Sequence, residues 1–297
     1  MTAPSSTAAS STKRTMSKIY LGLWGLGDSK GFHRGKDPRT AKNEIKAAWR
    51  RGIHAFDTAF SYNVDSLLYS ALKEAGARTD EAEIIEKVMP VPTFRKKTEA
   101  SLRALGTERV DWLLLHWPTE DKDLFNALKD AEKMKDEGKA LHIGVSNFPT
   151  DLIAKVSGDF ELEMHERAFS PVWIKDEEKE TLPLALYGIF GFGTLFHEER
   201  PDDERGKLGM YDSPAEWHAL NRAIRETEEK HGVSRAEVLF SFAEKKSGRI
   251  IIGSGDHSYL DSGFSLTDDE WNGIYMKALE LSMKNGSDNI FSHNWRH

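Results

Sequence analysis

Short apolar runs rich in β-branched residues alternate along this chain with longer segments in which apolar residues recur at helical spacing. Short apolar runs bounded by turn residues predict buried strands, and amphipathic stretches between them predict helices that cover those strands. We predict eight strands, at Ile19–Leu26, Ile53–Asp57, Glu83–Val88, Val110–His116, Ala140–Val145, Glu161–Phe169, Pro183–Ile189 and Arg249–Gly253.

Helix signals lie between these strands. The clearest amphipathic segments are Pro38–Arg51, Phe94–Leu105, Asp123–Glu137 and Ala215–His231. Pro38 suits a first helical turn, where its missing N–H leaves no hydrogen bond unmade. Gly52 and Gly138 follow such segments, and glycine commonly ends a helix.

Eight strand–helix units without a linker-like break predict an α/β fold, a single (β/α)₈ TIM barrel rather than a doubly wound open sheet. We assign residues 16–284 to the barrel and residues 285–297 to a C-terminal tail. Residues 1–15 are rich in Ser, Thr and Ala and lack an apolar run, which predicts a disordered tail and not a secretory signal. The charged segment 196–214 is the one long irregular stretch, and we interpret it as a substrate-side lid rather than a solvated insertion.

Composition narrows the function classes. The chain of 297 residues is 39% hydrophobic and 30% charged, and no apolar run approaches the roughly 18 residues that span a bilayer. The formal net charge of -7, without a basic stripe, argues against a nucleic-acid partner. The absence of cysteine excludes disulfides, a thiolate nucleophile and Cys-ligated metals. We expect a cytoplasmic protein with a small-molecule partner, and the sequence does not indicate the oligomeric state.

Polar side chains stand where the predicted strands end, namely Asp57 with Tyr62 after it, Lys87, His116, and Ser146 with Asn147. The carboxyl ends of barrel strands meet at one rim, so these groups are expected to converge there. Taken singly, each has an ordinary explanation, because a strand-end Asp often caps a helix and a lone His is often a satisfied buried group.

Five segments in order carry a family resemblance: FDTAFSY (56–62), IIEK (84–87), LLLHWP (113–118), GVSNF (144–148) and IIIGS (250–254). Through them the sequence, over roughly residues 17–284, resembles the aldo-keto reductase family. The resemblance implies a (β/α)₈ barrel that binds NAD(P)(H) and reduces aldehydes or ketones, or oxidises sugar-like alcohols in reverse. It also implies a catalytic tetrad with no member substituted, formed by Asp57, Tyr62, Lys87 and His116.

The chemistry explains why these four residue types occur together. Hydride transfer to a carbonyl leaves an alkoxide that must take a proton, and a phenol with a pKa of about 10 is a reluctant donor. Lys87 beside Tyr62 would lower the pKa of the phenol, and Asp57 would hold Lys87 in place. His116 would donate a hydrogen bond to the carbonyl oxygen.

The resemblance also implies cofactor contacts. Ser146, Asn147 and Glu166 would lie at the nicotinamide carboxamide, and Tyr187 would stack on the nicotinamide ring. The remaining cofactor contacts would come from three places: Gly22, Leu23 and Trp24 of strand 1; Asp57 of strand 2; and Gly253, Ser254 and Asp256 at the end of strand 8 and after it. The substrate pocket would be lined by Trp24, Tyr62, His116 and Trp117. No metal is implied.

Several positions depart from the family pattern. Glu166 replaces a Gln and is an acceptor-only group when ionised. The segment GIFGFGTLF (188–196) replaces a run that usually contains Ser-Pro-Leu, which leaves the pyrophosphate contacts open, and Asn63 follows Tyr62 where Gly is usual. After strand 8, Gly253 and Tyr259 stand where cations are expected, and Ser262-Gly263 replace Glu-Asn.

The strand-8 departures bear on the choice of cofactor. The 2′-phosphate of NADP(H) is a dianion best held by Arg or Lys, whereas Asp256 could accept hydrogen bonds from ribose hydroxyls. We therefore favour NAD(H) or dual use over strict NADP(H), although Arg205 or Lys207 from another loop could supply a cation.

Two alternatives remain. A cofactor-binding regulatory homologue that senses the redox state with little or no turnover would carry the same tetrad. A barrel hydrolase is disfavoured because the chain lacks clustered His and Asp at metal-ligand spacings.

Overall fold

Eight parallel strands close into a barrel in the computed structural model, which describes residues 16–27, 36–119, 121–174 and 180–285. The strands are β1 (Ile19–Gly22), β2 (Ala55–Asp57), β3 (Glu83–Val88), β4 (Val110–Leu115), β5 (Ala140–Ser146), β6 (His165–Ala168), β7 (Leu184–Tyr187) and β8 (Ile250–Ile252). Strand β8 pairs with β1 in parallel and completes the ring. The predicted barrel is confirmed. The predicted tail 1–15, and all but residue 285 of the predicted tail 285–297, lie outside the described residues.

Helices surround the barrel: α1 (Pro38–Arg50), α2 (Asp65–Glu74), α3 (Phe94–Leu105), α4 (Asp121–Asp136), α5 (Thr150–Val156), α6 (Pro214–His231), α7 (Arg235–Glu244) and α8 (Asp268–Asn285). The first begins as predicted, because the side chain of Asp37 accepts hydrogen bonds from the backbone N–H groups of Arg39 and Thr40 just after Pro38. Within the described ranges, none of the helices combines the length and apolar character needed to cross a membrane.

Most predicted strands are longer than the observed ones, and the predictions for β1 and β6 exceed the observed bounds by four residues at one end. Strand β1 ends at Gly22, and Trp24–Leu26 form a 3₁₀ turn. Strand β6 begins at His165 rather than at residue 161. The sequence pattern misled here because Leu23 and Leu26 are buried beneath the turn, so the apolar run continues after strand pairing stops.

Alternation along the strands sorts the interior of the barrel into levels. On β3, Glu83, Ile85 and Lys87 face inward from the amino end to the carboxyl end. At the amino end, Glu83 accepts hydrogen bonds from the hydroxyl of Tyr20 and the indole N–H of Trp112. Ile85 belongs to the apolar cluster inside the barrel. Lys87 is left at the carboxyl end, where it forms part of the rim described below.

The predicted lid, residues 196–214, is in part core. Three of its side chains are buried, those of Leu208, Met210 and Tyr211. The ring of Tyr211 packs against Trp217 of α6 with centroids 5.1 Å apart, and the indole N–H of Trp217 donates to the carbonyl of Glu198 at 2.6 Å. This part of the segment therefore belongs to the core, because removing these residues would expose apolar surface, and the role of the segment as a substrate-side lid stays a prediction.

A substitution at Gly144 tests the packing between β5 and β6. A Cβ atom there would lie 2.4 Å from the carbonyl oxygen of Met164. We expect Gly144→Ala to lower the free energy of unfolding by about 1–3 kcal/mol, measured by urea denaturation, because one strand would have to move. The matched control is Gly273→Ala in α8, where the added methyl meets no atom within 4 Å and should stabilise the helix by up to about 1 kcal/mol. Equal stabilities of the two variants would contradict this account.

Candidate active site

The inward position at the carboxyl end of every strand holds a residue predicted for the site. In strand order these residues are Gly22, Asp57, Lys87, His116, Ser146, Glu166, Tyr187 and Gly253. Each of these residues lies on one of the eight strands or directly after it, and the alternation of side chains along a strand points all of them inward. Residues far apart in the sequence therefore meet at one rim of the barrel. Gly22 is required to be small, because a Cβ atom there would lie 2.9 Å from the side chain of Ile251.

Lys87 is the centre of the rim. Its side chain is 1% exposed and forms an ion pair with Asp57, and its Nζ lies 3.2 Å from Oε1 of Glu166. Both carboxylates are themselves buried. A charge in such a place persists only when it is paired. Within the described residues, no group of three or more His, Asp or Glu side chains is placed to hold a metal ion.

Tyr62 lies beside this cluster in the turn after β2. The ring centroid of Tyr62 is 5.3 Å from Nζ of Lys87, and its hydroxyl lies 3.4 Å from Nε2 of His116. The turn is held by close backbone contact, since a Cβ atom at Gly27 would lie 2.0 Å from the carbonyl oxygen of Tyr62. Asn63 adopts a φ of 59°, a left-handed conformation that Asn tolerates better than most residues. The departure from Gly at this position therefore keeps the turn.

The surroundings shift the protonation of the phenol and the imidazole. Burial raises the pKa of Tyr62 above its usual range, and the charge of Lys87 opposes this increase. Lys87 thus acts in the predicted direction, but the predicted net lowering of the pKa is not found. Burial and the charge of Lys87 hold the pKa of His116 well below its usual value, so the imidazole is neutral at pH 7 and can donate a hydrogen bond.

A hydrogen-bond chain links four of the predicted cofactor contacts. The amide of Asn147 donates to the hydroxyl of Ser146 at 3.0 Å and to the carbonyl of His116 at 3.2 Å, and its oxygen accepts from the hydroxyl of Tyr187 at 2.6 Å. Ser146 donates in turn to Glu166 at 3.2 Å. These side chains already bind one another, so a carboxamide placed here would exchange with contacts that exist.

Glu166 differs from the acceptor-only carboxylate expected from its sequence. Burial, followed by the neighbouring charge of Asp57, raises the pKa of Glu166 to about 8. The pKa of Asp57 is also raised by burial, although contact with Lys87 opposes the shift. At neutral pH Glu166 holds a proton and can donate as well as accept, as a Gln amide does.

An aromatic residue in the loop after β7, Phe192, packs against two tryptophans. Phe192 has a left-handed φ of 55° between two glycines, and its ring meets Trp24 edge-on with centroids 5.9 Å apart and Trp173 at 5.3 Å. Such a backbone is costly for an aromatic residue and is found where a site needs a side chain in a fixed place. Sequence reasoning missed Phe192 and Trp173, although the Gly-Phe-Gly spacing was a signal. Trp117 lies next to His116, with ring centroids 6.4 Å apart.

The predicted contacts after β8 lie on an exposed loop. Asp256 accepts hydrogen bonds from the backbone N–H of Ser258 at 2.9 Å and from its hydroxyl at 2.8 Å, so the carboxylate is held in a turn. Ser254 accepts from Nζ of Lys36 at 3.2 Å, and Lys36 also pairs with Glu44. Lys36 is a cation that sequence reasoning missed, because 218 residues separate it from Ser254.

Tyr259 is buried, not exposed like the cations expected at its position. Its side chain is 7% exposed and packs against Phe190 and Phe240. The hydroxyl has no hydrogen-bond partner among the described residues. A buried phenol O–H of this kind can take an additional acceptor or donor.

Comparison with known proteins assigns the family. Residues 18–271 match the model of the aldo/keto reductase family. The chain belongs to this family. Over 139 residues it is 32% identical to glyoxal reductase from Bacillus subtilis, in a match that spans 45% of this chain and 49% of that protein, so the chain aligns with about half of that relative. Methylglyoxal reductase DkgB from Yersinia pestis is 26% identical over 74% of this chain and 79% of its own length.

Solved structures agree on the architecture of this aldo/keto reductase family member. The structure of glycerol dehydrogenase from Gluconobacter oxydans superimposes with a TM-score of 0.75 and 21% identity, and covers 94% of this chain and 95% of that one. At this identity the likeness supports the barrel fold alone.

The raised pKa of Glu166 predicts a pH-dependent stability. A folded-state pKa of about 8 lies above the ordinary value, so the folded protein binds a proton that the unfolded chain has released. This contribution is present at low pH and is lost as the pH rises through about 8. We expect urea denaturation of wild type and Glu166→Gln to show a difference in unfolding free energy that moves by a few kcal/mol in favour of the variant between about pH 5 and pH 8. Parallel curves would contradict the shift.

Proposed function

We propose that residues 16–284 form an NAD(P)-dependent reductase of aldehydes and ketones that oxidises alcohols in the reverse direction. The observation that carries the proposal is the continuous contact from Asp57 through Lys87 and Tyr62 to His116. A phenol, a buried cation and a neutral imidazole at one point form a place where a carbonyl oxygen can be bound and protonated.

The residues at the rim fit a nicotinamide dinucleotide. Ser146, Asn147 and Glu166 offer hydroxyl, amide and carboxyl groups suited to a carboxamide, and Tyr187 offers a ring. The open backbone at Gly253, where a Cβ atom would meet no atom within 4 Å, leaves room for the opposite end of such a molecule. When bound, the cofactor supplies the hydride.

Side chains of this protein orient the carbonyl group and transfer the proton. His116 and Tyr62 orient the carbonyl oxygen between them, and Tyr62 gives its proton to that oxygen as negative charge develops. Lys87 stabilises the tyrosinate that remains, because its charge lies against the ring. Asp57 holds Lys87 in place through an ion pair in a buried site. In the reverse direction the tyrosinate is the base.

The walls indicate the substrate class. Trp24, Phe192 and Trp117 are large and apolar; Trp117 lies beside His116, and Phe192 packs against Trp24 and against Tyr187 of the rim. Such a combination suits small carbonyl compounds with an apolar part. Two relatives are named as reductases of glyoxal and methylglyoxal, which are small dicarbonyls. We place the protein in the cytoplasm, with a small molecule as its partner.

We further propose that the cofactor is NAD(H), or that NAD(H) and NADP(H) are both used. The exposed carboxylate of Asp256 would repel a 2′-phosphate. Among the described residues, two cations near the β8 loop are already paired, Lys36 with Glu44 and Arg51 with Asp261. A phosphate dianion would have to compete with these carboxylates.

Replacement of the proton donor tests the proposed reaction. We expect Tyr62→Phe to reduce turnover of small aldehydes by about 10²–10⁴-fold, since only the hydroxyl is lost, while the dissociation constant for the reduced cofactor stays within about threefold. The measurement is steady-state reduction across a panel of aldehydes, ketones and sugars, with a fluorescence titration of cofactor. The matched control is Tyr69→Phe on α2, which should retain activity because Tyr69 is an exposed residue outside the rim.

The outcomes separate the proposed function from its alternative. Full turnover by Tyr62→Phe would show that another group gives the proton. Cofactor binding by wild type without turnover of any panel member would favour the regulatory homologue.

The cofactor preference is tested by titration with NADH and NADPH at moderate salt. We expect NADH to bind at least as well as NADPH or within about tenfold, a difference of roughly 1.4 kcal/mol. Asp256→Asn should tighten NADPH binding, because a repelling charge is removed, and should not tighten NADH binding, because NADH carries no 2′-phosphate. Asp136→Asn at the exposed end of α4 changes the net charge equally and should alter neither. A stronger preference of wild type for NADPH would contradict the proposal.

A further inference from the structure

Position 166 brings a second carboxyl group to a single buried cation. Oε1 of Glu166 lies 3.2 Å from Nζ of Lys87, and Asp57 contacts the same Nζ. The side chains of Lys87, Glu166 and Asp57 are 1%, 3% and 6% exposed. An amide at position 166 would leave one cation and one carboxylate in balance. With Glu166, the cluster is neutral only when one of the two carboxyl groups holds a proton.

Geometry decides which group holds the proton. Asp57 has the closer contact with Lys87 and remains ionised. Glu166 lies farther from the cation and bonds to the hydroxyl of Ser146 at 3.2 Å. A proton on Glu166 can also be donated to Asp57, because the two carboxyl groups lie within hydrogen-bonding reach. The pKa of about 8 for Glu166 agrees with this arrangement.

The groups that face Glu166 come from four elements. The charged ones are Asp57 on β2 and Lys87 on β3, and the titratable phenols are Tyr62 after β2 and Tyr187 on β7. Strand β5 contributes the hydroxyl of Ser146, which does not titrate in this range. The pKa values of both phenols lie above their usual range, so neither changes its charge near pH 8. Glu166 is therefore the group of the cluster that titrates there.

The redox states of a nicotinamide differ by one charge at this place. The oxidised ring is a cation and the reduced ring is neutral. A hydride donor must come within about 3.5 Å of a carbonyl whose oxygen lies between Tyr62 and His116. Glu166 is near enough to Tyr62 for its charge to raise the pKa of the phenol. A cationic ring at that point therefore interacts strongly with an ionised Glu166.

We propose that Glu166 is a positioning residue that couples the binding of oxidised cofactor to the release of one proton, and so sets the relative affinity for the two redox states. The inference rests on the proposed function, since it requires that the rim binds a nicotinamide. On binding of the oxidised form, the O–H bond of Glu166 breaks, the proton passes to the buffer, and the carboxylate faces the cationic ring. No electrons move in this step. Binding of the reduced form leaves the proton in place.

Calorimetric titration of the full chain tests the coupling. NAD⁺ and NADH are titrated between about pH 6 and pH 9 in two buffers with different heats of ionisation, which gives the number of protons released. We expect about one proton per bound NAD⁺ near pH 7 and almost none above about pH 9, with an affinity that rises up to about tenfold per pH unit below about pH 8. NADH should release almost none. The two molecules share their adenosine and pyrophosphate, so their difference isolates the nicotinamide end.

Variants of Glu166 test whether this residue is the source of the released proton. Glu166→Gln should abolish the release and make NAD⁺ affinity independent of pH, while NADH still binds. Glu166→Asp should restore part of the release. Glu86→Gln is the matched control, because Glu86 is a buried carboxyl on the same strand as Lys87 but accepts its hydrogen bond from Ser101 of α3 at 2.8 Å. This variant should release the proton as wild type does.

The outcomes distinguish the inference from the function on which it rests. Equal proton release with NAD⁺ and NADH by wild type would overturn the inference even if no variant folds. Unchanged release by Glu166→Gln would overturn it as well. In both cases the proposed reductase stands, because cofactor is bound. A wild-type protein that binds neither NAD⁺ nor NADH, nor their 2′-phosphorylated forms, would overturn the proposed function and the inference with it.

Discussion

The positive charge of Lys87, enclosed in the barrel, is the interaction on which the site depends. An ammonium group that is 1% exposed would be strongly destabilising alone, and here Asp57 on β2 compensates its charge while the carboxyl group of Glu166 on β6 lies 3.2 Å away. The same charge opposes the effect of burial on the pKa of Tyr62, and it adds to the effect of burial in keeping His116 neutral. Removal of this cation would therefore leave the two carboxyl groups buried without a counter-charge and take away the support of the phenol at the same time.

The register of the barrel makes this arrangement possible. Side chains alternate along β3, so Glu83, Ile85 and Lys87 face inward while Glu86 faces the helices and binds Ser101. A slip of one residue would exchange the inward and outward sets and remove the cation from the rim. Closure of the sheet between β1 and β8 leaves no edge strand, and each strand contributes one position to the same ring. The site is thus a consequence of strand register more than of any loop.

The sequence predicts the parts of the molecule that repeat with a regular period. Eight apolar runs and the polar residues that end them were sufficient to place Asp57, Lys87 and His116 together. Contacts between distant loops carry no such period, and Lys36 beside Ser254 is one of them. The sequence pattern also does not separate a buried turn from a strand, as Leu23 shows, nor a lid from core, as Tyr211 shows. The protonation state of a buried group is the property that the sequence predicts least well, because the pKa of Glu166 depends on burial and on two neighbouring charges.

The carboxyl group of Glu166 changes the net electrostatic effect of the cluster around Lys87 on the pKa of Tyr62. While Glu166 holds a proton, Lys87 is compensated by Asp57 alone, and more of its field supports a developing tyrosinate. Once Glu166 ionises, its negative charge adds to that of Asp57 and raises the pKa of the phenol further. The ionised form would suit a cationic nicotinamide ring but lower the fraction of Tyr62 that is present as the tyrosinate needed to oxidise an alcohol. Because one proton has opposite effects on cofactor and phenol, an acid at position 166 balances cofactor binding against proton transfer in a way that an amide would not.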